Sequence, residues 1–262
     1  MRDARRRAYL QAMGIDLWRV RTAAETKPGP TAADAVAPDA GPDGPSAPVR
    51  AVPDPGHPSL SAVALDPGPA ALSWDALRGV VQTCTLCGLH EARTQTVFGV
   101  GDPNARLMVI GEAPGADEDR AGEPFVGRAG QLLNAMLEAI GLAREQVYIA
   151  NIVKCRPPGN RDPHADEAAA CQPYLQRQIA LLAPEVILAV GRVSAHNLLG
   201  TEEAVGRLRG RTHRFDPGDI PLIVTYHPAY LLRSPLEKRK AWEDLRLALQ
   251  VAGAGQAESS VS

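Results

Sequence analysis

Four cysteines are the residues whose type and spacing point most directly to chemistry. Cys84 and Cys87 form a C-x2-C pair, and Cys155 and Cys171 form a wider C-x15-C pair downstream. Two disulfides are typical of small secreted scaffolds, and a chain of 262 residues with no expected secretory signal does not fit that class. Four thiolates can instead bind tetrahedral zinc or a [4Fe–4S] cluster, and the spacing leaves both interpretations open.

A second set of chemically capable residues follows short, buried apolar runs. The segment GEAPGADED comes after residues 107–110, NIVKCR after 147–150, and YHPAYLLR after 222–225. These segments bring carboxylate, amide and imidazole groups to what we expect to be the carboxyl ends of parallel strands, where ligands bind in open α/β sheets. No phosphate-binding loop and no dinucleotide fingerprint follow any of these strands, which argues against a nucleotide cofactor.

The elements that must position these residues alternate between strand and helix. Short, continuous, β-branched runs predict four strands buried on both faces. They cover residues 107–110, 147–150, 186–190 and 222–225. Helical patterns lie around and between them, at residues 74–83, 129–140, 164–182, 192–199 and 236–251. This alternation predicts a three-layer α/β/α fold with a central, mostly parallel four-stranded sheet.

The composition limits both the domain count and the function classes. Hydrophobic residues make up 45% of the chain and the net charge is -2, which excludes a coiled coil, a collagen-like chain and a uniformly basic nucleic-acid coat. No apolar run has the roughly 18 residues of a transmembrane helix. Nearly half of the 23 prolines lie in residues 27–72, which we interpret as a disordered linker. We expect a single folded domain over residues 73–250.

Two terminal segments complete the predicted organisation. Residues 1–26 read as one short helix or arm, with apolar residues at helical spacing after a cluster of arginines. That cluster is either a solvated surface or a basic arm that touches DNA phosphates. Residues 251–262 read as a flexible tail.

The folded part resembles the iron–sulfur, thermostable-type uracil-DNA glycosylases, family 4 of the uracil-DNA glycosylase superfamily. The matching motifs are GEAPGADEDRAGEPFVGRAGQLL, NIVKCRPPGNRDP, CQPYL and YHPAYLLR, together with the cysteine spacing. The resemblance implies a DNA-repair hydrolase that flips uracil out of the helix and leaves an abasic site. It also implies that the four cysteines hold a structural [4Fe–4S] cluster rather than zinc.

The resemblance assigns roles to individual residues. His227 would donate to uracil O2 as negative charge develops on the leaving base, and the amide of Asn151 would read O4 and N3–H. Phe125 would stack on the flipped base, Glu118 would lie near C5, and the backbone of Ala113 would approach the base and sugar. Many superfamily relatives have an aspartate at the position of Ala113, so Glu112 becomes the candidate for activating water.

The same resemblance predicts the DNA contacts. Leu231 and Leu232 would fill the gap left by the flipped base, and Arg233 would contact phosphate. Lys154, Arg156 and a basic run are further phosphate candidates. The run comprises Arg207, Arg209, Arg211 and Arg214. The expected partner is uracil-containing DNA, single- or double-stranded, and the protein is expected to be monomeric and not membrane-bound.

Two rival functions share much of this pattern. A relative that traps uracil covalently would carry a basic loop ending in histidine, whereas residues 120–128 are short and contain no histidine. A DNA-damage-binding scaffold would not need Glu112, Asn151 and His227 together. We therefore expect a cytoplasmic (bacterial cytosol or nucleoid) repair enzyme, whose N-terminal arm is a candidate docking segment for a repair or replication protein.

Overall fold

The computed structural model describes residues 68–259, with side chains described up to residue 253. Its centre is a six-stranded sheet in the order β1-β3-β2-β4-β6-β5. The strands are β1 (Val100–Gly101), β2 (Leu107–Gly111), β3 (Tyr148–Asn151), β4 (Val186–Val190), β5 (Thr212–Phe215) and β6 (Ile220–Thr225). The four inner strands run parallel, and β1 and β5 pair antiparallel at the two edges.

Eight α-helices surround this sheet in the described part of the chain. They are α1 (Trp74–Gln82), α2 (Ala116–Ala121), α3 (Arg128–Ala139), α4 (Ala165–Leu182), α5 (Arg192–Leu199), α6 (Val205–Leu208), α7 (Pro228–Arg233) and α8 (Lys238–Ser259). The α/β class and the four parallel strands predicted from the sequence are confirmed, within one residue at most strand ends.

The predicted four-stranded sheet lacks the two edge strands. β1 is only two residues long, and β5 carries the polar sequence Thr-His-Arg before Phe215. Neither resembles a buried apolar run, because an edge strand is solvated on one side and needs no continuous apolar sequence. The final helix also continues to Ser259, so most of the predicted tail is helical.

Successive side chains of the inner strands pack alternately into two apolar cores, one on each face of the sheet. In β2, Met108 and Ile110 belong to one core, and Leu107 and Val109 belong to the other. Helix α4 covers the first face through Leu175. Helices α3 and α8 cover the second face, and the whole forms the expected three layers.

The predicted N-terminal arm (1–26) and most of the linker (27–72) lie outside the described residues. Within residues 68–259, no helix is both long enough and apolar enough to cross a bilayer.

Candidate active site

A cavity of about 770 Å³ opens where the four parallel strands end. Each strand is followed by residues that line it: Glu112 after β2, Asn151 at the end of β3, Gly191 after β4 and His227 after β6. The cavity also collects the other predicted substrate residues and one predicted DNA contact. These are Ala113, Glu118, Phe125 and Arg233. The placement follows the general rule for ligand sites in open α/β sheets.

Asn151 has an unpaired polar atom in this cavity. Its side chain is 2% exposed, and its Oδ1 has no hydrogen-bond partner. A buried amide oxygen without a partner is destabilising, and native proteins seldom retain one without a reason. The orphaned oxygen is therefore a ready acceptor for a donor on a ligand.

Gly111 allows Asn151 and Phe125 to approach each other. A Cβ atom at position 111 would lie 2.5 Å from Asn151 Oδ1 and 2.6 Å from Phe125 Cζ, so no side chain fits there. Gly111 pairs with Asn151 across β2 and β3. This register fixes the position of the Asn151 amide relative to the Phe125 ring. The aromatic ring of Phe125 therefore lies beside the amide of Asn151, and together they can bind a planar ligand.

Phe125 is held in a strained backbone conformation by the loop between α2 and α3. Its φ angle is +55°, in the left-handed region that non-glycine residues rarely adopt. The carboxylate of Glu118 accepts hydrogen bonds from Val126 N (3.0 Å) and Gly127 N (3.1 Å) on this loop. Its other oxygen accepts from Gly115 N (3.1 Å). Glu118 thus lines the cavity and also anchors the loop that carries Phe125.

His227 lies in the cavity as a neutral imidazole. Burial, together with the nearby positive charge of Arg233, lowers its pKa to about 4. The Nδ1 atom accepts a hydrogen bond from Ala229 N (3.2 Å), which leaves the ring proton on Nε2. The Phe125 and His227 rings lie 5.7 Å apart between centroids. The histidine can therefore donate from Nε2 without carrying a charge.

Glu112 is next to a second carboxylate that the sequence analysis missed. Burial raises the pKa of Glu112 to about 7, and the negative charge and hydrogen bond of Asp162 raise it as well, while Arg192 opposes them. Asp162 forms an ion pair with Arg192, and both line the cavity. Glu112, Asp162 and Arg192 are far apart in the chain, so no local sequence motif could have indicated that they meet.

The structure corrects the predicted DNA contacts. Leu231 is 0% exposed and packs in the core on the side of α3 and α8, so it cannot fill a gap in a DNA stack. Leu232 is 37% exposed, and Leu236, in the turn after α7, is 91% exposed. The one-turn helix α7 has one buried side, and Leu231 falls on it.

Two predicted phosphate contacts are also wrong. The Lys154 side chain is buried, and its Nζ donates to the carbonyl of Asn151 at 2.8 Å. Arg209 is committed to the buried carboxylate of Asp244 on α8, at 2.9 Å. Neither residue can reach a DNA backbone from these positions, whereas Arg207, Arg211 and Arg214 are exposed.

The four cysteines line one small cavity on the side of the sheet covered by α1 and α4. All are free thiols, and Cys155 and Cys171 are buried. Three of the sulfurs accept hydrogen bonds: Cys84 from Tyr174 (3.3 Å), Cys155 from Arg93 (3.0 Å) and Cys171 from Lys154 N (3.3 Å). Among the described residues, no group of three or more His, Cys, Asp or Glu side chains is arranged to hold a metal ion.

The fold and its strand-end cavity match one class of enzyme. A family model described as the Uracil DNA glycosylase superfamily matches residues 98–246, which include every residue that lines the cavity. This match covers more than half of the chain, which therefore belongs to the uracil-DNA glycosylase superfamily.

Comparison with individual proteins places the chain more narrowly. A type-4 uracil-DNA glycosylase of Sulfurisphaera tokodaii is 41% identical over 187 residues, covering 69% of this chain and 85% of the relative. The type-4 enzyme of Thermotoga maritima is 44% identical over 155 residues, covering 59% and 80%. A type-5 enzyme of Thermus thermophilus is less similar, at 35% over 150 residues, covering 50% and 68%. The similarity is thus to the type-4 branch, as the cysteine spacing and strand-end motifs predict.

Proposed function

We propose that the protein excises uracil from DNA in the cavity at the strand ends, the activity for which its family is named. The observation that carries this proposal is the unpaired Oδ1 of Asn151, buried beside the Phe125 ring. An extruded uracil offers a flat ring for Phe125 and an N3–H donor for Asn151 Oδ1. No step requires a nucleotide cofactor.

Asn151 would discriminate uracil from cytosine by hydrogen-bond polarity. Its Oδ1 accepts from N3–H of uracil while its amide N–H donates to O4. Cytosine has an acceptor at N3 and an amino group at C4, so both contacts would be reversed. A base that leaves the buried amide of Asn151 without hydrogen-bond partners is strongly disfavoured, so the site would reject cytosine.

His227 would stabilise the leaving group. Cleavage of the N1–C1′ bond leaves its electron pair on the base, and the charge spreads to O2. A neutral imidazole that donates from Nε2 to O2 strengthens its hydrogen bond as that charge develops, which is the condition for lowering the barrier. The hydrogen bond from Ala229 N to Nδ1 fixes the tautomer of His227. The Nε2–H group is therefore already placed to donate, and the side chain need not reorganise during the reaction.

Glu112 would take the proton of the attacking water. The oxocarbenium-like sugar accepts water at C1′, and the ionised carboxylate accepts the released proton. The Asp162–Arg192 pair lies beside it, so Arg192 can balance charge when Glu112 is ionised. This assignment gives the site a water-activating carboxylate although Ala113 has none.

Leu232, Leu236 and Arg233 would meet the DNA at the rim of the cavity. Leu232 and Leu236 are exposed apolar side chains on and after α7, and Arg233 lines the cavity. Apolar insertion offsets the stacking lost when a base is extruded, and arginine favours phosphate. A base extruded from either single- or double-stranded DNA could enter the cavity, so both would serve as substrates.

The four cysteines would hold a [4Fe–4S] cluster. A zinc ion needs all four sulfurs within about 2.3 Å of one point. A cubane cluster binds each thiolate through a different iron, so its four sulfurs stand further apart. The convergence of all four cysteines on one cavity supports a shared metal group, and the resemblance to the iron–sulfur family favours the cluster over zinc. When bound, it would cross-link the segment after α1 to the loop after β3 and to α4.

The cofactor assignment has a direct test. Protein purified without oxygen should be brown, absorb at about 400 nm and contain close to four irons per chain. A colourless preparation that contains one zinc per chain would contradict the assignment.

Three broader statements concern the oligomeric state, the location and the partners of the protein. That the protein acts as a monomer stays a prediction from the sequence. A substrate in genomic DNA supports action in the cytoplasm. The arm at residues 1–26 and the linker up to residue 67 lie outside the described residues, and a repair or replication partner for the arm stays a prediction from the sequence.

The activity itself is tested with an end-labelled oligonucleotide containing one uracil. The protein should generate an alkali-labile abasic site at that position, and the absence of any such product would contradict the proposal. The variant His227→Ala should lose about a hundredfold or more in the rate of cleavage while it binds the DNA nearly as well, since its donor acts mainly in the transition state. Equal losses in binding and rate would remove the catalytic role of His227.

A further inference from the structure

Lys154 is a buried lysine to which the proposed mechanism gives no role. It is 1% exposed and lines the cysteine cavity, and its Nζ reaches the backbone of Asn151, which lines the other cavity. Its backbone N–H donates to Cys171 Sγ at 3.3 Å, and its Nζ donates to the carbonyl oxygen of Asn151 at 2.8 Å. One residue thus contacts a cysteine of the proposed cluster site and the residue proposed to read the base.

The charge of Lys154 needs a compensating negative charge, because an isolated buried ammonium is strongly destabilising. Lys154 lines the cysteine cavity together with Cys155 and Cys171, so thiolates there would lie near its charge. Four thiolates around a [4Fe–4S] core of charge +2 leave a net charge of -2 by simple addition. Lys154 supplies one positive charge, and Arg93, which donates to Cys155 Sγ at 3.0 Å, supplies a second.

The Asn151 carbonyl is a sensitive point for base reading. It belongs to the last residue of β3, and the N–H of the same peptide, at Ile152, donates to the carbonyl oxygen of Gly111 on β2 at 3.1 Å. The carbonyl and the side chain of Asn151 share one Cα atom, so a shift of this peptide would also move the amide that lines the cavity. The hydrogen bond from Lys154 Nζ holds the carbonyl side of this peptide, as the bond to Gly111 holds its N–H side.

We propose that Lys154 is a positioning residue that connects the two sites: its ammonium balances the charge of the cluster and its hydrogen bond holds Asn151 in the base-reading position. The proposal rests on the proposed function for its second half only. It gives the cluster a definite consequence at the active site, because a change in cluster charge or occupancy acts on the group that fixes Asn151.

The variant Lys154→Met tests both halves, since it keeps most of the side-chain volume but removes the charge and the donor. Iron content and the band at about 400 nm establish that the cluster is retained. The reduction potential of the cluster should become more negative, because a lost neighbouring cation disfavours the added electron. The single-turnover rate of uracil excision should fall by about tenfold, the value of one hydrogen bond to a charged group.

Arg93→Met is the matched control. It removes the other cation near the cluster but no contact with Asn151, so it should lower the potential in the same direction and reduce excision much less than Lys154→Met. A purely structural role of Lys154 would not move the potential. An unchanged potential, or a wild-type excision rate in Lys154→Met with the cluster intact, would overturn the proposal.

A measurement on the wild-type protein decides the matter if the Lys154 variant does not fold. The chain contains four lysines, so labelling with [15N]lysine gives only four side-chain signals. One ammonium should exchange slowly with water and be broadened by the nearby cluster, and four rapidly exchanging signals would contradict the proposal. The NMR and potential readouts need no excision activity, so a failure of the proposed function stays distinguishable from a failure of this inference.

Discussion

At the residue scale, the site combines groups whose ordinary chemistry is changed by burial. Asn151 keeps an unpaired acceptor, Oδ1, although the residue is only 2% exposed. The pKa of His227 is lowered to about 4, so its imidazole is neutral at pH 7. The pKa of Glu112 is raised to about 7, so its carboxyl group is about half protonated at that pH. The two pKa values are shifted in opposite directions within one cavity, so His227 can act as the hydrogen-bond donor and Glu112 as the base. Enzymes commonly divide acid and base roles in this way.

The pH dependence of the rate follows from these two shifts. Glu112 is protonated below its raised pKa, so the excision rate should rise with pH until about 7 and level off above it. His227 stays neutral throughout this range and should add no second limb. A pH series of single-turnover rates checks this expectation.

Glu112→Gln provides the control for that series. The variant should be slower and nearly independent of pH between about 5.5 and 8, because its amide does not titrate. A limb centred near pH 7 that persists in Glu112→Gln would assign the titration to another group and contradict the role of Glu112.

At the element scale, the loop between α2 and α3 has to hold Phe125 against an unfavourable backbone angle. Glu118 does this through two backbone N–H groups of the loop, at Val126 and Gly127, while a third bond, from Gly115 N, fixes the carboxylate at the start of α2. The resemblance to family 4 placed Glu118 near uracil C5, and its position in the cavity is compatible with that. The structure adds that its carboxylate secures the loop.

Glu118→Ala should therefore weaken uracil excision through the loop. Loss of three hydrogen bonds to a charged acceptor releases Phe125, and we expect the rate to fall about tenfold or more, with a weaker binding of free uracil. Glu123→Ala is the matched control, because Glu123 is an exposed glutamate on the same loop. Equal effects of the two substitutions would show that the carboxylate of Glu118 does not secure the loop.

At the scale of the whole molecule, a single sheet positions one cavity at its strand ends, and the cysteine cavity lies on one of its faces. The sequence indicates the inner strands well, because 186–190 and its counterparts are unbroken apolar runs. It does not indicate β5, whose polar side chains suit a sheet edge. Nor could it reveal the pair Asp162–Arg192 or the burial of Leu231, since both depend on how distant segments pack.

The cluster should contribute to the stability of the whole domain. It would join Cys84 and Cys87 to Cys155 and Cys171, and a cross-link over such long loops is worth several kcal/mol. Oxidative removal of iron should lower Tm by about 10 °C for a domain of this size. Thermal unfolding followed by circular dichroism checks this, and chelator alone, which leaves the band at about 400 nm, is the control. An unchanged Tm after complete loss of iron would contradict a structural role.

The central claim is that the buried, unpaired Oδ1 of Asn151 recognises uracil. The most direct measurement compares single-turnover excision rates and DNA affinities of Asn151→Ala and Asn104→Ala, the latter in an exposed turn between β1 and β2. The account predicts that Asn151→Ala loses about a hundredfold or more in rate with DNA affinity nearly unchanged, and that Asn104→Ala matches the wild type. Excision by Asn151→Ala at close to the wild-type rate would contradict it.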